Sequence, residues 1–385
     1  MRITIVQGGA LPVPPVRGGA IEKVWFGLGK EFVKRGHEVT HISRAFSGFP
    51  SEQWLEGVHH VRVEGLEFSS NRYVVVWRDL GYVRRVVRVL PEADILVSNT
   101  PLLPLLIRNP RFGALYVHMG RYPKGQTRFY RHAARIQTVS RSVAEAIVRQ
   151  DPKSAGMVRV IPYPLPSPAC TLNVPATWQQ RSNEILYVGR VHPEKGIHIL
   201  IDAFRLLVQA GVDDWRLVIV GPWAAADGGG GEAYYESLRA GSAAIAERVN
   251  LAGPIFDQSL LTAHYRRAKL FVYPSLAEQG ESFGLAPLEA MAQGCAPLVS
   301  ALACFQDFIE NGRSGFIFDH RSESPAEELY RSLKKIVRAD EELMSVAVRS
   351  HEVARAYDPS NVAGMYLEDF AAIAPARGAP QSQLL

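Results

Sequence analysis

Short apolar segments alternate with amphipathic segments along the first half of the chain. The pattern predicts strands at residues 2–6, 38–42, 95–97, 115–117 and 136–139. A helix is predicted at residues 21–35, with Gly36 suited to its C-terminal cap. Strands that are apolar throughout and separated by helices are typical of parallel sheets that are covered on both faces. The first half is therefore predicted to be an α/β domain.

The same alternation returns in the second half, after an interruption by five prolines between residues 162 and 175. Proline disfavours both helix and central strand, so residues 166–182 are predicted to link a domain at 1–165 to a domain at 183–357. The second domain has predicted strands at 185–188, 216–220, 270–273 and 297–299, and predicted helices at 197–210, 260–268 and 284–293. The tail at 374–385 is expected to be loose.

The fold expected from this order is α/β, with two Rossmann-like, doubly wound parallel-sheet domains facing a cleft. Ligands of such sheets bind beyond the carboxyl ends of the strands. The loops that follow the strands are therefore the places to search for chemistry.

Composition narrows the class of protein. The chain has 385 residues, of which 47% are hydrophobic and 21% charged, which excludes a disordered, collagen-like or disulfide-stapled chain. It has three cysteines without C-x-x-C spacing, no apolar run of membrane-spanning length and no apolar segment of signal-peptide length at its start. A reduced protein of the cytoplasm is expected, with peripheral contact at the inner face of the membrane left open.

Charge is divided unequally between the halves. Residues 1–165 carry 24 Lys and Arg against 12 Asp and Glu, whereas residues 166–385 carry 19 against 26. The formal net charge of +5 therefore combines a strongly basic half with an acidic one. The two halves are expected to meet different partners.

Two carboxylates eight residues apart, Glu281 and Glu289, enclose the start of the predicted helix at 284–293. Free N–H groups and the positive dipole end make a helix N-terminus a seat for phosphate, and carboxylates accept hydrogen bonds from hydroxyls. The pattern suits a sugar attached to a diphosphate, although an ordinary acidic first turn fits it too. Glu278 is kept as an alternative to Glu281.

Two cations five residues apart, Arg190 and Lys195, lie on the predicted loop between strand 185–188 and helix 197–210. An arginine fork and a lysine point charge together suit a diphosphate. A solvated loop with surface charges remains the other interpretation. The loop lacks the Walker phosphate-binding pattern.

In order and spacing, these segments resemble the retaining glycosyltransferases of family 4, which have the GT-B fold. The similarity covers about residues 1–370. It rests on Gly189-Arg190 with Lys195-Gly196, the Glu281 and Glu289 pair, Gly18-Gly19, Gly36-His37-Glu38-Val39 and Thr138-Val139-Ser140.

The resemblance implies a nucleotide-diphosphate-sugar donor held mainly by the second domain. Arg190 and Lys195 would neutralise the leaving diphosphate, Glu281 would bind sugar hydroxyls, and Glu289 would bind ribose hydroxyls. A helix at about 358–373 would pack back on the first domain. The implied donor-binding residues are Gly18, Gly19, Gly189, Gly221, Ser282, Phe283, Gly284, Leu285 and Glu289.

The resemblance also implies that the sugar keeps its anomeric configuration and that neither metal nor cofactor is needed, in agreement with the absence of a D-x-D motif. In the family, a histidine at the position of His118 would face the donor sugar and orient it. The alternative interpretation is that His118 is a core histidine at the end of a strand. The stretch Ala303–Asp307 departs from the family, because it lacks the usual glycine pair. UDP is the favoured nucleotide.

The basic first half suggests an anionic acceptor, such as a lipid-linked phosphate or an acidic glycan. Arg121, Lys124 and Arg128 are the acceptor candidates, and Arg128 is expected to share a helix face with Arg131 and Arg135. A predicted helix at 75–90 has an apolar stripe with arginines beside it, which suits a crossover helix better than an interfacial membrane helix. Solvated helix faces are the alternative. No nucleic-acid motif is present, so nucleic acid is not an expected partner.

Other functions on the same fold remain open at this point. One is a nucleotide-sugar epimerase or a phosphorylase, although no lysine is marked out for pyridoxal phosphate. Another is a non-catalytic GT-B scaffold protein, for which a complete set of Arg190, Lys195, Glu281 and Glu289 would be unnecessary.

Overall fold

A computed structural model describes residues 1–17, 19–65, 72–168 and 172–374, with the side chains of residues 72–76 outside the description. The chain divides into two compact units. Unit 1 comprises Met1–Pro166 together with the chain from Pro359 onward, and unit 2 comprises Ser167–Asp358. The tail prediction at 374–385 lies outside the described residues, apart from residue 374.

Unit 1 is built on one sheet in the strand order β3-β4-β2-β1-β5-β6-β7-β8. Its neighbouring strands are parallel, apart from the antiparallel pair β3 and β4. The strands are β1 (Arg2–Val6), β2 (Glu38–Arg44), β3 (Glu52–Leu55), β4 (Val58–Val63), β5 (Ile95–Ser98), β6 (Ala114–Met119), β7 (Arg135–Thr138) and β8 (Val158–Val160).

The helices of unit 1 cover the sheet and bury their apolar sides against it. They are α1 (Ala20–Lys34), α2 (Arg72–Val89), α3 (Leu103–Leu106), α4 (Arg141–Gln150) and α12 (Pro359–Ile373). Helix α2 packs Tyr82, Val83 and Val86 into the cluster that contains Val6 and Leu96. This is the crossover packing that the apolar stripe favours.

Helix α12 belongs to unit 1 although it is the last helix of the chain. The rings of Tyr366 and Phe370 contact those of Trp25, Phe32 and Tyr116. These five aromatic side chains are buried. The end of the chain therefore completes the core of a domain whose other strands and helices lie about 200 residues or more earlier.

Unit 2 contains a parallel six-stranded sheet in the order β11-β10-β9-β12-β13-β14. The strands are β9 (Ser182–Val188), β10 (Arg216–Val220), β11 (Val249–Gly253), β12 (Ala268–Tyr273), β13 (Ala296–Ser300) and β14 (Phe316–Phe318). The helices are α5 (Val174–Trp178), α6 (Ile197–Gln209), α7 (Glu232–Ser242), α8 (Gln258–Arg267), α9 (Leu285–Ala292), α10 (Pro325–Ile336) and α11 (Asp340–Ala354).

The predicted linker at 166–182 begins at the boundary between the two units, but it also contains a short helix. Residues 174–178 form α5, and the buried Trp178 donates a hydrogen bond from Nε1 to an Asp340 carboxylate oxygen at 3.1 Å. Asn173 caps this helix, and Pro175 stands in its first turn, where its missing N–H is not needed. The prolines therefore mark the start of unit 2 as well as the boundary.

Candidate active site

The two predicted donor motifs lie side by side at the carboxyl edge of the unit 2 sheet. One motif follows β9 and the other follows β12, and these strands are parallel neighbours. Strand order changes direction between them, since β10 and β11 lie on one side and β13 and β14 on the other. A switch point of this kind leaves room for a ligand beyond the strand ends.

Lys195 and Glu281 form the ion pair that joins the two motifs. Lys195 Nζ lies 2.8 Å from Glu281 Oε2, and the side chains are 8% and 12% exposed. The ammonium also lies 5.6 Å from the centre of the Tyr273 ring, which stacks on Tyr187. Because the pair is shielded from water, its charges act more strongly on an arriving ligand than exposed charges would.

Arg190 is more exposed than Lys195 and has partners of its own. Its Nη2 lies 2.7 Å from Glu194 Oε1, and its Nη1 donates to the carbonyl oxygen of Gly228 at 2.6 Å. Both predicted cations are thus paired with a carboxylate. An anion could reach these cations only by replacing or sharing these contacts. Glu194 was not singled out from the sequence, although it lies four residues after Arg190.

Glycines in these loops allow the backbones to approach each other closely. A Cβ at Gly221 would collide with the carbonyl oxygen of Gly189, and one at Gly196 would collide with the carbonyl oxygen of Pro274. Gly196 also has a φ of 67°, a left-handed conformation. Close packing is therefore a structural reason for these glycines, independent of any ligand.

Helix α9 begins where the sequence predicts a phosphate seat. Gly284 has a φ of 93° and directly precedes α9, and the Phe283 side chain is buried beside Phe308 and Tyr357. Any contact of Phe283 with a ligand must therefore come from its backbone. Ser282 precedes it and Leu285 is the first residue of the helix.

Glu289 lies on α9 and is held by unit 2. It accepts a hydrogen bond from the Tyr265 hydroxyl at 3.0 Å. Tyr265, on α8, had no signal in the sequence that connects it with the site. Its position next to Glu289 follows from the packing of α8 and α9.

The departure at Ala303–Asp307 has a structural counterpart. Residues 305–307 form a 3-10 turn, and the Phe305 ring lies where a Cβ on Gly284 would point. Cys304 directly precedes this turn and is buried, and burial, followed by the charges of Glu281 and Asp307, raises the pKa of its thiol. An aromatic side chain therefore fills the space beside the start of α9.

His118 ends β6 in unit 1 with both ring nitrogens in hydrogen bonds. Gln137 donates from Nε2 to the carbonyl oxygens of Thr138 and Ile161, so its Oε1 accepts from His118 Nδ1 at 2.5 Å. His118 Nε2 then accepts from the Tyr163 hydroxyl at 3.1 Å. These contacts specify a neutral ring with its proton on Nδ1.

Burial supports the same assignment for His118. The side chain is buried against Trp25, and desolvation lowers its pKa to about 4. A neutral histidine can accept or donate hydrogen bonds but carries no charge at neutral pH. Gln137 and Tyr163, which set its protonation and orientation, were missed from the sequence because they lie on β7 and beyond β8.

The glycine loop after β1 leads into a buried carboxylate. Gly18 lies outside the described residues, and Gly19 has a φ of 94° directly before α1. A Cβ at Gly19 would meet the Glu22 carboxylate, whose pKa is raised by burial and lowered to a lesser extent by its backbone contact and Arg121. Glu22 was missed, although it stands in the first turn of the predicted helix.

The expected helix face with Arg128, Arg131 and Arg135 is wrong. Residues 127–129 form a short 3-10 turn, and Arg135 lies on β7. Arg131 and Arg135 are paired with Asp151 and Asp369, at 2.9 and 2.8 Å. The spacing of the cations has the period of a helix, but the chain passes from this short turn into a strand, so the spacing predicts the wrong structure here.

The three acceptor candidates have different surroundings. Arg128 lies over the exposed Phe129 ring at 4.9 Å, and the backbone of Lys124 is held by Gln126. Arg121 is exposed and acts electrostatically on Glu22. Their role in acceptor binding stays a prediction.

The described ranges hold neither a metal-binding cluster nor a membrane-spanning helix. Within them, no group of three or more His, Cys, Asp or Glu side chains is placed to hold a metal ion. None of the helices in that part of the chain has the length and apolar character that a bilayer span requires.

The second half of the chain matches a known family. Residues 174–347 match the family model of the glycosyl transferases group 1. A D-inositol 3-phosphate glycosyltransferase of Geodermatophilus obscurus is 34% identical over 179 residues, which are 45% of this chain and 37% of that protein. The chain thus spans well under half the length of this relative, and the similarity is one of its second half.

Two comparisons extend over most of the chain. Spore coat protein SA of Bacillus subtilis is 23% identical over 349 residues, which are 84% of this chain and 87% of that protein. The solved structure of Anabaena HepE in complex with UDP and glucose has a TM-score of 0.73 at 18% identity, covering 97% of this chain and all of that one. Two parallel-sheet units with such neighbours define the GT-B fold, which confirms the predicted fold class.

Proposed function

We propose that the protein is a retaining, metal-independent glycosyltransferase that uses a nucleotide-diphosphate sugar in the synthesis of cell-envelope polysaccharide or glycoconjugate. The observation that carries the proposal is the Lys195–Glu281 ion pair, in which both donor motifs meet at the edge of the unit 2 sheet. These motifs lie within the residues that match the glycosyl transferases group 1.

In this proposal, unit 2 stabilises the charge that develops on the leaving diphosphate. Lys195 and Arg190 supply cations, and the first N–H groups of α9 supply the positive end of a helix dipole. Glu281 accepts hydrogen bonds from sugar hydroxyls while it keeps Lys195 in place. Glu289 accepts from the ribose hydroxyls beside Tyr265.

The anomeric configuration is retained if the acceptor attacks the sugar on the same face that the phosphate leaves, with that phosphate taking the acceptor's proton. The bond from the sugar to the phosphate breaks as the bond to the acceptor oxygen forms, and the proton moves from that oxygen to the phosphate. Cations and the helix dipole then stabilise the negative charge of the leaving diphosphate, as Mg²⁺ does in other transferases. UDP is the proposed nucleotide, supported by HepE having been solved with UDP and glucose.

An anionic acceptor is proposed for unit 1, carried by a lipid, a glycan or a small molecule. The basic balance of its sequence supports this, as does the inositol phosphate in the name of the relative from Geodermatophilus obscurus. Cytoplasmic location, with peripheral contact at an anionic membrane, is part of the same proposal.

The test is release of nucleoside diphosphate by the full chain from a panel of UDP, GDP, ADP and TDP sugars in the presence of EDTA. Lys195→Met is expected to lower the rate by about a hundredfold or more, as removal of a charge-stabilising donor does. Lys335→Met is the matched control, because Lys335 is an exposed lysine of the same unit. Isomerised sugar instead of free nucleotide contradicts the proposal and favours an epimerase.

A non-catalytic scaffold is the second candidate, favoured by the alignment with Spore coat protein SA over 84% of this chain. It predicts no turnover with any member of the panel. The Lys195→Met variant would then be indistinguishable from the unchanged protein in every assay of nucleotide release.

A further inference from the structure

A cavity of about 510 Å³ opens in unit 1 at the carboxyl ends of β2 and β4. Arg44 is the last residue of β2, while Glu64 directly follows β4. Helix α2 forms the opposite wall with Arg78 and Arg85. The volume lies within the usual range for small-molecule sites, and the cavity opens at the carboxyl edge of the sheet, where ligands of parallel sheets bind, although not at the β1–β5 switch point.

The cavity is strongly basic. Its described lining carries the three arginines Arg44, Arg78 and Arg85 and a single carboxylate, that of Glu64. Glu64 is 82% exposed and its carboxylate lies 3.6 Å from Arg85, a distance and exposure at which an ion pair contributes little. In the described lining, arginines therefore outnumber carboxylates, and a ligand that carries negative charge suits it better than a neutral one.

Two of the arginines are held in position by the backbone. Arg44 donates from Nη1 to the carbonyl oxygen of Ala10 at 2.8 Å, and Arg85 donates from Nε to that of Glu64 at 3.1 Å. A Cβ at Gly65 would press against Arg44 and the carbonyl oxygen of Gly9, so the glycine lets these segments meet. Guanidinium groups that are fixed before a ligand arrives lose less entropy on binding it.

Helix α2 leaves space for a ligand at its middle. Gly81 stands inside the helix and lines the cavity, and a Cβ there would meet only the Arg85 guanidinium, at 3.8 Å. Glycine inside a helix destabilises it by about 0.5–1 kcal/mol relative to alanine. The cavity wall at Gly81 therefore has room for a side chain, and the glycine leaves that space open to a ligand.

We propose that this cavity binds a phosphate group, as a monoester or diester, of the acceptor. The inference rests on the proposed glycosyltransferase function and adds the acceptor's chemical class to it. Arginine forks match phosphate oxygens two at a time, and a lining with more arginines than carboxylates suits both the dianion of a monoester and the monoanion of a diester. The cavity belongs to unit 1, whereas the cations proposed for the donor diphosphate, Arg190 and Lys195, belong to unit 2.

The experiment measures binding of glycerol 3-phosphate to the full chain by calorimetry. Arg44→Gln and Arg78→Gln are each expected to weaken binding by about tenfold or more, the usual effect of losing a charged hydrogen bond. Arg78→Lys is expected to fall between, because it keeps the charge and loses the fork. Arg88→Gln is the control, since it removes the same charge from the exposed side of α2, outside the cavity.

A second arm uses vesicles of phosphatidylglycerol, with phosphatidylcholine vesicles as reference. The proposal is supported if the Arg44 and Arg78 variants lose binding while the Arg88 variant keeps it. Binding of glycerol 3-phosphate then indicates a soluble acceptor, and binding of phosphatidylglycerol vesicles indicates a lipid acceptor. Equal weakening in the Arg88 variant, or no binding to either probe, overturns the proposal. Lys195→Met is expected to bind glycerol 3-phosphate as the unchanged protein does. A failure of the proposed donor site would therefore appear only in the nucleotide-release assay, and a failure of the cavity proposal only in the binding measurements.

Discussion

At the scale of single residues, the site is characterised by charges that already have partners. Lys195 is paired with Glu281, and Arg190 with Glu194. The identity of the cations follows from motif spacing, but their pairing does not. Glu281 lies on the loop that follows β12, and β12 lies next to β9 only in the folded sheet.

His118→Ala is expected to lower the rate of sugar transfer by about a hundredfold, with nucleotide affinity unchanged, because the proposed role of the neutral ring is to position the sugar. Rates and nucleotide dissociation constants of both proteins provide the measurement. The pKa of about 4 places the titration of His118 below the range of an ordinary pH profile. Unchanged turnover in the variant would remove His118 from the site.

His60 is expected to make unit 1 less stable in mild acid. It is buried on β4 beside His41, its ring nitrogens have no hydrogen-bond partner, and desolvation lowers its pKa from 6.5 to about 4. The unfolded chain therefore binds more protons between these values, so stability is full above pH 6.5 and falls as the pH drops toward 4.

The expected contribution of His60 is a loss of about 2 kcal/mol in the free energy of unfolding by pH 5. Urea unfolding at pH 7 and pH 5 measures it. His60→Phe keeps an aromatic ring against Phe26 but has no titrating group, so its stability should depend less on pH. An identical pH dependence in the variant would contradict this explanation.

At the scale of elements, the loops after the unit 2 strands depend on glycine for two separable reasons. Gly196 and Gly312 have φ values of 67° and 76°, but only Gly196 is closely packed, against the backbone of Pro274. Gly312→Ala should therefore destabilise by about 1 kcal/mol, the strain of a left-handed alanine. Gly196→Ala should destabilise by clearly more, since the strand-to-helix loop has to move.

Thermal unfolding of the two glycine variants tests this comparison. Nucleotide binding by Gly196→Ala should also weaken, because Lys195 precedes the displaced residue. Equal melting temperatures for the two variants would show that close packing at Gly196 adds nothing to backbone strain.

Periodicity identified elements well where the apolar pattern was long and undisturbed. The helix predicted at 284–293 is α9 at Leu285–Ala292, and the strand predicted at 216–220 is β10 at Arg216–Val220. The β3–β4 hairpin was missed, because polar and histidine residues make up much of β4, although its side chains alternate between buried and half-buried. The false helix at Arg128–Arg135 shows that charge spacing alone cannot predict a helix.

At the scale of the whole molecule, unit 1 depends on the end of the chain. Phe370 and Met365 both lie on α12, but Phe370 is fully buried while Met365 is 42% exposed. Phe370→Ala is expected to destabilise unit 1 by about 3–5 kcal/mol, whereas Met365→Ala should change stability by about 0.5 kcal/mol or less.

Amide hydrogen exchange measures which parts of the chain the Phe370→Ala substitution destabilises. Amides of α1 and β6 should lose protection, since the ring packs against Phe32 on α1 and Tyr116 on β6. Amides of unit 2 should keep theirs. Uniform loss across both units would mean that α12 stabilises more than its own domain.

The division of charge persists when the chain is divided as the structure divides it. Unit 1 contains 25 Lys and Arg against 14 Asp and Glu, whereas unit 2 contains 18 against 24. The basic excess thus belongs to a folded domain, and part of it lines the cavity of Arg44, Arg78 and Arg85. Other cations of unit 1 are neutralised in ion pairs within the domain, such as Arg135 with Asp369.

The sequence by itself determined the α/β class, most strands and helices, and the two donor motifs, because these depend on residues close together along the chain. Only the tertiary structure decided which charges meet. Lys195 reaches Glu281 across 86 residues, His118 receives its neutral tautomer from Gln137 and Tyr163, and α12 returns to Tyr116 across some 250 residues. Contacts of this kind depend on strand order and helix packing, which local periodicity does not encode.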